Sequence, residues 1–144
     1  MKRVCLLILF SVAGLSVVAG EEAEVTPVEV TSAEIQAMEK KILMVGDPAA
    51  RLFYQANIYR AKGEMELALQ TLAKLTALHA HNKQWITRSE LLSAMLYLEV
   101  GMPDAADVTI RQVEFLNEGT DAAETARQFL ETIKDVKKQS EESE

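Results

Sequence analysis

An internal repeat of 38 residues constrains this chain more than any other feature. Phe53 aligns with Leu91, Ala56 with Ala94, Ile58 with Leu96, Tyr59 with Tyr97 and Gly63 with Gly101. Farther on, Ala68 aligns with Ala106, Leu72 with Ile110, Leu75 with Val113 and Leu78 with Leu116. All nine pairs fall in one register, so one supersecondary unit is expected twice.

The spacing inside each copy identifies the unit. Ala56, Tyr59 and Gly63 stand at i, i+3 and i+7, one face of a helix. Gly63 ends that helix, because glycine accepts the left-handed conformation of a C-terminal cap. A second helix follows, with Ala68, Leu72 and Leu75 inward, and the small Ala56 and Ala68 let the two helices approach closely. The copy from Ala94 to Val113 repeats this plan, with Gly101 as the stop and Pro103 near the first position of its second helix. Tyr59 and Tyr97 are read as core residues. Only three prolines and six glycines interrupt the chain, which favours long helices over many short strands. With 49% hydrophobic and 26% charged residues, it can bury a core and is not disordered overall.

At these residues the chain resembles the tetratricopeptide repeat family. The shared pattern is Ala56, Tyr59, Gly63, Ala68, and again Ala94, Tyr97, Gly101, Ala106. The resemblance covers about residues 49–118. It implies an all-α, right-handed helical-hairpin solenoid, with repeats at about 49–82 and 87–120. The chain departs from the family in its period, 38 rather than roughly 34. The family's early aromatic is replaced by Leu52 and Glu90, and its closing proline by Ala80 and Glu118. The extra residues are placed in 79–86, between the copies.

Two repeats alone rarely bury enough surface, so flanking helices are expected. Thr31 to Glu34 is a capping box, with Val30 and Ile35 as its staple, opening a helix from about Ser32 to Val45. Asp47 and Pro48 start the next helix as cap and first-turn proline. Thr87 to Glu90 and Asp121 to Glu124 read as two further capping boxes, the second following Gly119 and opening a capping helix over 121–138. The domain therefore spans 31–138, between a flexible acidic linker (21–30) and a disordered tail (139–144).

The first 20 residues read as a signal peptide. Lys2 and Arg3 give a basic start, residues 4–18 an apolar run, and Val18-Ala19-Gly20 a small-residue site for cleavage after Ala19 or Gly20. The alternative is a retained membrane anchor, although the run is short of the roughly 20 residues that a span requires. Cleavage would remove Cys5, the one cysteine, and move the formal charge from −7 to −9. A cysteine-free acidic chain has no disulfide, thiolate nucleophile or Cys-based metal site. It suits a bacterial periplasm or the cell exterior, and not adhesion to anionic lipid. No Lys/Arg-rich patch interleaved with aromatics points to nucleic acid.

No catalytic constellation emerges, so no enzyme, cofactor or metal is expected. His79 and His81 stand at i, i+2, on different faces if helical, and read as part of a polar loop. Trp85, the sole tryptophan, is expected to pack in the turn between repeats. The family resemblance implies a binding groove on the first helices of the repeats. It is lined by Phe53, Asn57 and Arg60 in one copy and by Leu91, Met95 and Leu98 in the other, with Arg88 a turn earlier. Each set follows i, i+4, i+7 and forms one stripe. The second stripe is wholly apolar and contains an adaptable methionine. The expected function is a non-catalytic adaptor or scaffold of the cell envelope that binds another protein or peptide segment in this groove. The alternative is a structural subunit that self-associates into a homo-oligomer through the same stripe.

Overall fold

The computed structural model describes residues 31–142, apart from the side chains of residues 140 and 141. The expected signal segment, the linker and the last two residues of the tail lie outside the described residues. Among the described residues the protein is all-α, with six helices and no strand. These are α1 (Ser32–Ile42), α2 (Pro48–Ala61), α3 (Met65–Leu78), α4 (Lys83–Glu99), α5 (Pro103–Leu116) and α6 (Asp121–Glu141).

Local chemistry sets most of the boundaries. At α1 the capping box forms: the Glu34 N–H donates to Thr31 Oγ1 at 3.3 Å, and the Thr31 N–H donates to the Glu34 carboxylate at 2.7 Å. The helix ends at Ile42, before the expected Val45, because Gly46 and the pre-proline position Asp47 both resist helix. Asp47 then caps α2, accepting from the Ala49 N–H at 2.9 Å, with Pro48 as the first helical residue.

Both hairpins reverse the chain in the same way. Gly63 has φ +77°; its N–H donates to the Arg60 carbonyl at 2.9 Å, and the Glu64 N–H donates to the Tyr59 carbonyl at 2.8 Å. Gly101 also has φ +77°; its N–H donates to the Leu98 carbonyl at 3.0 Å, and the Met102 N–H to the Tyr97 carbonyl at 2.7 Å. Each reversal is a Schellman motif that satisfies carbonyls the helix end would leave orphaned.

The register of 38 carries into the helices. Residues 65 and 103 open α3 and α5, and residues 78 and 116 close them, while α2 and α4 end at 61 and 99. The longer period is taken up in part by residues 83–85, within 79–86, which belong to α4 and give it 17 residues against 14 in α2. Its start corrects the second capping box. Asn82 caps the helix, accepting from the Trp85 N–H at 3.4 Å, and Thr87 lies inside it. Thr87 is buried and donates instead to Asn117 Oδ1 at 3.1 Å, tying α4 to the end of α5. The third box is shifted as well. Asp121 is the first residue of α6, and the Thr120 carbonyl receives the Ala123 and Glu124 N–H groups. α6 continues past 138 to Glu141, because no glycine or proline stops it. This corrects the start of the tail at 139.

Packing follows the paired positions. Ala56 and Ala94, Ala68 and Ala106, Leu72 and Ile110, and Leu75 and Val113 are all buried. One cluster joins Ala56, Ala68 and Leu72 to Leu92 and Leu96, so α4 completes the core of the first hairpin. A second joins Ala94, Ile110 and Val113 to Ala126, Phe129 and Ile133 of α6. The buried Ser89 hydroxyl, donating to the Leu72 carbonyl at 3.3 Å, pins α4 to α3. α2 also packs on α4, and α4 on α6, whereas no Cα of α3 comes within 8 Å of one in α5.

The tyrosines depart from the expectation. Tyr59 and Tyr97 are half-buried and pack at the edges of these clusters, while the preceding residues, Ile58 and Leu96, are enclosed. Tyrosine keeps its hydroxyl at the margin and buries only part of its ring. Leu78 and Leu116 also align in register, but both are exposed at the ends of their helices. We predict that Ile58→Ala costs about 2–5 kcal/mol in chemical denaturation. Tyr59→Ala should cost less than Ile58→Ala; a larger loss at Tyr59 would contradict this packing.

Candidate functional site

The residues expected to form a groove lie on α2 and α4, which pack side by side. The fold brings most of the apolar ones together. Phe53 and Met95 both pack, half-buried, on the Ala56–Leu72–Leu96 cluster. Leu91, Met95 and Leu98 pack, also half-buried, on the cluster shared with α5 and α6. Met95 thus touches both cores. An unbranched thioether suits that junction, because it fills irregular space between two packed units.

The polar members are engaged within the chain. The Asn57 amide donates to the Phe53 carbonyl of its own helix at 2.9 Å. The Arg60 guanidinium donates through Nε and Nη2 to the Glu99 carboxylate, linking the end of α2 to the end of α4. Arg88 is exposed and lies over the Trp85 ring, 4.7 Å from its centroid, in a cation–π contact. Glu99 is the partner that sequence reasoning missed. It directly follows Leu98, the residue aligned with Arg60.

Trp85 corrects another expectation. It lies in the first turn of α4, not in the loop, and is buried with Ala49, Ala50 and Leu75. Its ring meets Phe53 at 5.5 Å and Tyr54 at 6.2 Å between centroids. Its indole N–H donates to Asp47 Oδ2 at 2.7 Å. One carboxylate therefore caps α2 and receives the indole of α4. Partial desolvation pushes the Asp47 carboxyl up, but the hydrogen bonds from Trp85, Ala49 and Ala50 and the nearby His79 outweigh it and hold the value below 3.8.

His79 caps the end of α3, and the His81 ring lies 6.2 Å from its ring, centroid to centroid. Among the described residues, no group of three or more His, Cys, Asp or Glu side chains is placed to hold a metal ion. No helix among them is long and apolar enough to cross a membrane.

Two measurements test this junction. Arg60 and Glu99 keep 21% and 20% of their side-chain surface exposed and meet in a bidentate pair. A double-mutant cycle with Arg60→Ala and Glu99→Ala should therefore return about 1 kcal/mol of coupling, the upper end for surface pairs. A coupling near zero would mean the pair is idle. Asp47 is depressed on folding, so its contribution is whole above 3.8 and fades as pH falls through the folded value. Trp85→Phe, which deletes the hydrogen bond, should lower the melting temperature at neutral pH. That deficit should shrink below pH 3.8, and a deficit unchanged by acid would assign it to packing alone.

Comparison of the chain with protein-family models, with curated proteins and with solved structures returned no match.

Proposed function

We propose that this chain is an exported, non-catalytic protein–protein interaction module of the cell envelope. In this reading the two hairpins form a tetratricopeptide-like, right-handed solenoid. A segment of another protein lies across the α2/α4 face, against Phe53, Leu91, Met95 and Leu98. Residues 1–20 direct export and are removed.

One observation carries the reading. Four large apolar side chains lie on two adjacent helices and stay only half-buried once all six helices have packed. Such a face supports capture of an apolar segment in a groove. Asn57 and Arg60 already donate within the chain and Arg88 lies over Trp85, which supports an apolar ligand over a carboxylate. The agreement of Gly63 with Gly101, and of the buried alanines, supports the solenoid.

A second reading, a self-associating structural subunit, draws support from α5. Val108 and Phe115 stand at i, i+7 on its outer side, 67% and 79% exposed.

Site-specific photocrosslinking in the producing cell tests both. A photoreactive residue at Leu98 should form a discrete adduct with one other polypeptide, and one at exposed Gln70 on α3 should not. Met95→Ala should weaken the adduct, with retention of the fold checked by circular dichroism, since Met95 also packs on both cores. An adduct of twice the chain mass, together with a solution mass that rises with concentration, would favour the structural subunit. Crosslinking that is equal at both positions would sink the groove.

A further inference from the structure

On the side of the molecule away from α2, α3 and α5 stand apart and leave an open cleft of about 390 Å³ floored by α4. The α3 wall is Leu69, Ala73 and Ala77; Thr109 and Gln112 face it from α5. Glu90, Ser93 and Tyr97 form the floor.

Glu90 sets this cleft apart. Five carboxylates among the described residues have partly buried side chains: Glu39, Glu90, Glu99, Asp107 and Glu114, and Glu99 pairs with Arg60. Glu39 pairs with Lys62, Asp107 with Arg111 and Glu114 with Arg127. Glu90 has neither a cation nor a hydrogen-bond donor from the described residues. Burial pushes its carboxyl up from the usual 4.5, and no charge among the described residues opposes that shift. Its counterpart in the repeat register is Leu52, which packs on the Ala49–Trp85 cluster. The second copy thus places an unpaired carboxylate where the first places a half-buried leucine packed on the core. Ser93, Gln112 and Tyr97 also line the cleft, and their side chains make no hydrogen bond among the described residues.

We infer that the α3/α5 cleft is a second docking site, which receives one lysine or arginine side chain of an extended partner segment on the Glu90 carboxylate. Charge chooses the occupant: a lone, partly desolvated anion in an acidic chain of net charge −7 is complementary to a cation. Shape favours a polypeptide over a free amine. The α3 wall from Leu69 to Ala77 runs about 12 Å, the length of about four extended residues. Ala73 and Ala77 let a backbone approach closely, and Ser93 and Gln112 are free to bond its amides. This site is independent of the α2/α4 groove, and either can fail without the other.

The probe is a capped pentapeptide, Ala-Leu-Lys-Leu-Ala, titrated into the isotopically labelled protein and followed by amide chemical shifts. Saturable shifts should centre on Glu90, Ser93 and Gln112 and leave Met95 and Leu98 unmoved. Replacing the lysine by norleucine, or Glu90→Gln in the protein, should weaken binding by about tenfold or more. Ala77→Trp, which fills the cleft and spares the carboxylate, should also abolish it. Glu90→Gln should still fold, with a higher melting temperature than the parent at neutral pH. Because Glu90 is raised on folding, that gain should vanish below pH 4.5, where both forms are neutral. Equal binding of the norleucine peptide, shifts spread over all acidic surfaces, or butylamine binding as tightly as the peptide would each overturn the proposal.

Discussion

The distance between the helices of each hairpin is set by alanine. Ala56 and Ala68 in the first hairpin, and Ala94 and Ala106 in the second, are wholly enclosed. At these crossings a methyl group is all that the space between the backbones accommodates, and a larger side chain would force the helices apart. The close approach brings Leu72 and Leu75, and Ile110 and Val113, into full burial one and two turns farther on. It also fixes the aim of the reversals at Gly63 and Gly101, whose backbone bonds to Tyr59 and Tyr97 form only if the next helix leaves at one angle.

Those features were legible in the sequence because each follows from one local rule. Small residues at matched positions, a glycine past the last apolar residue, and a proline at a helix start carry the same meaning wherever they occur. The reading failed where a residue had two physically reasonable uses. Thr87 has the spacing of a cap, yet Asn82 lies upstream and can cap as well, and a helix grown from Asn82 buries Trp85. Burial of the indole outweighs the choice between two caps, and Thr87 is left to satisfy Asn117. The tyrosines show the same limit. Periodicity marks the inward face of a helix, but not how far each side chain on it is covered.

The α2/α4 face was legible as two stripes, and the half-buried state of Phe53, Leu91, Met95 and Leu98 agrees with their spacing. The polar environment was not. Arg60 with Glu99, and Asp47 with Trp85, join helices that are adjacent in space but far apart in the chain. A single sequence without aligned relatives holds no direct signal for such pairs. Glu90 is the opposite case. Its departure from Leu52 was visible at once, but its meaning depends on there being no cation around it among the described residues.

Among the described residues α4 packs on α2, α3, α5 and α6, whereas α1 packs on α2 alone and buries only Ile42 of its own residues. Tension applied ahead of residue 31 would reach α1 first, where the Glu39–Lys62 ion pair and a small apolar contact oppose it. α1 would peel away as a sacrificial link. The interlocked block from α2 to α6 would keep its shape, because its hub lies inside it and not at the point of pull.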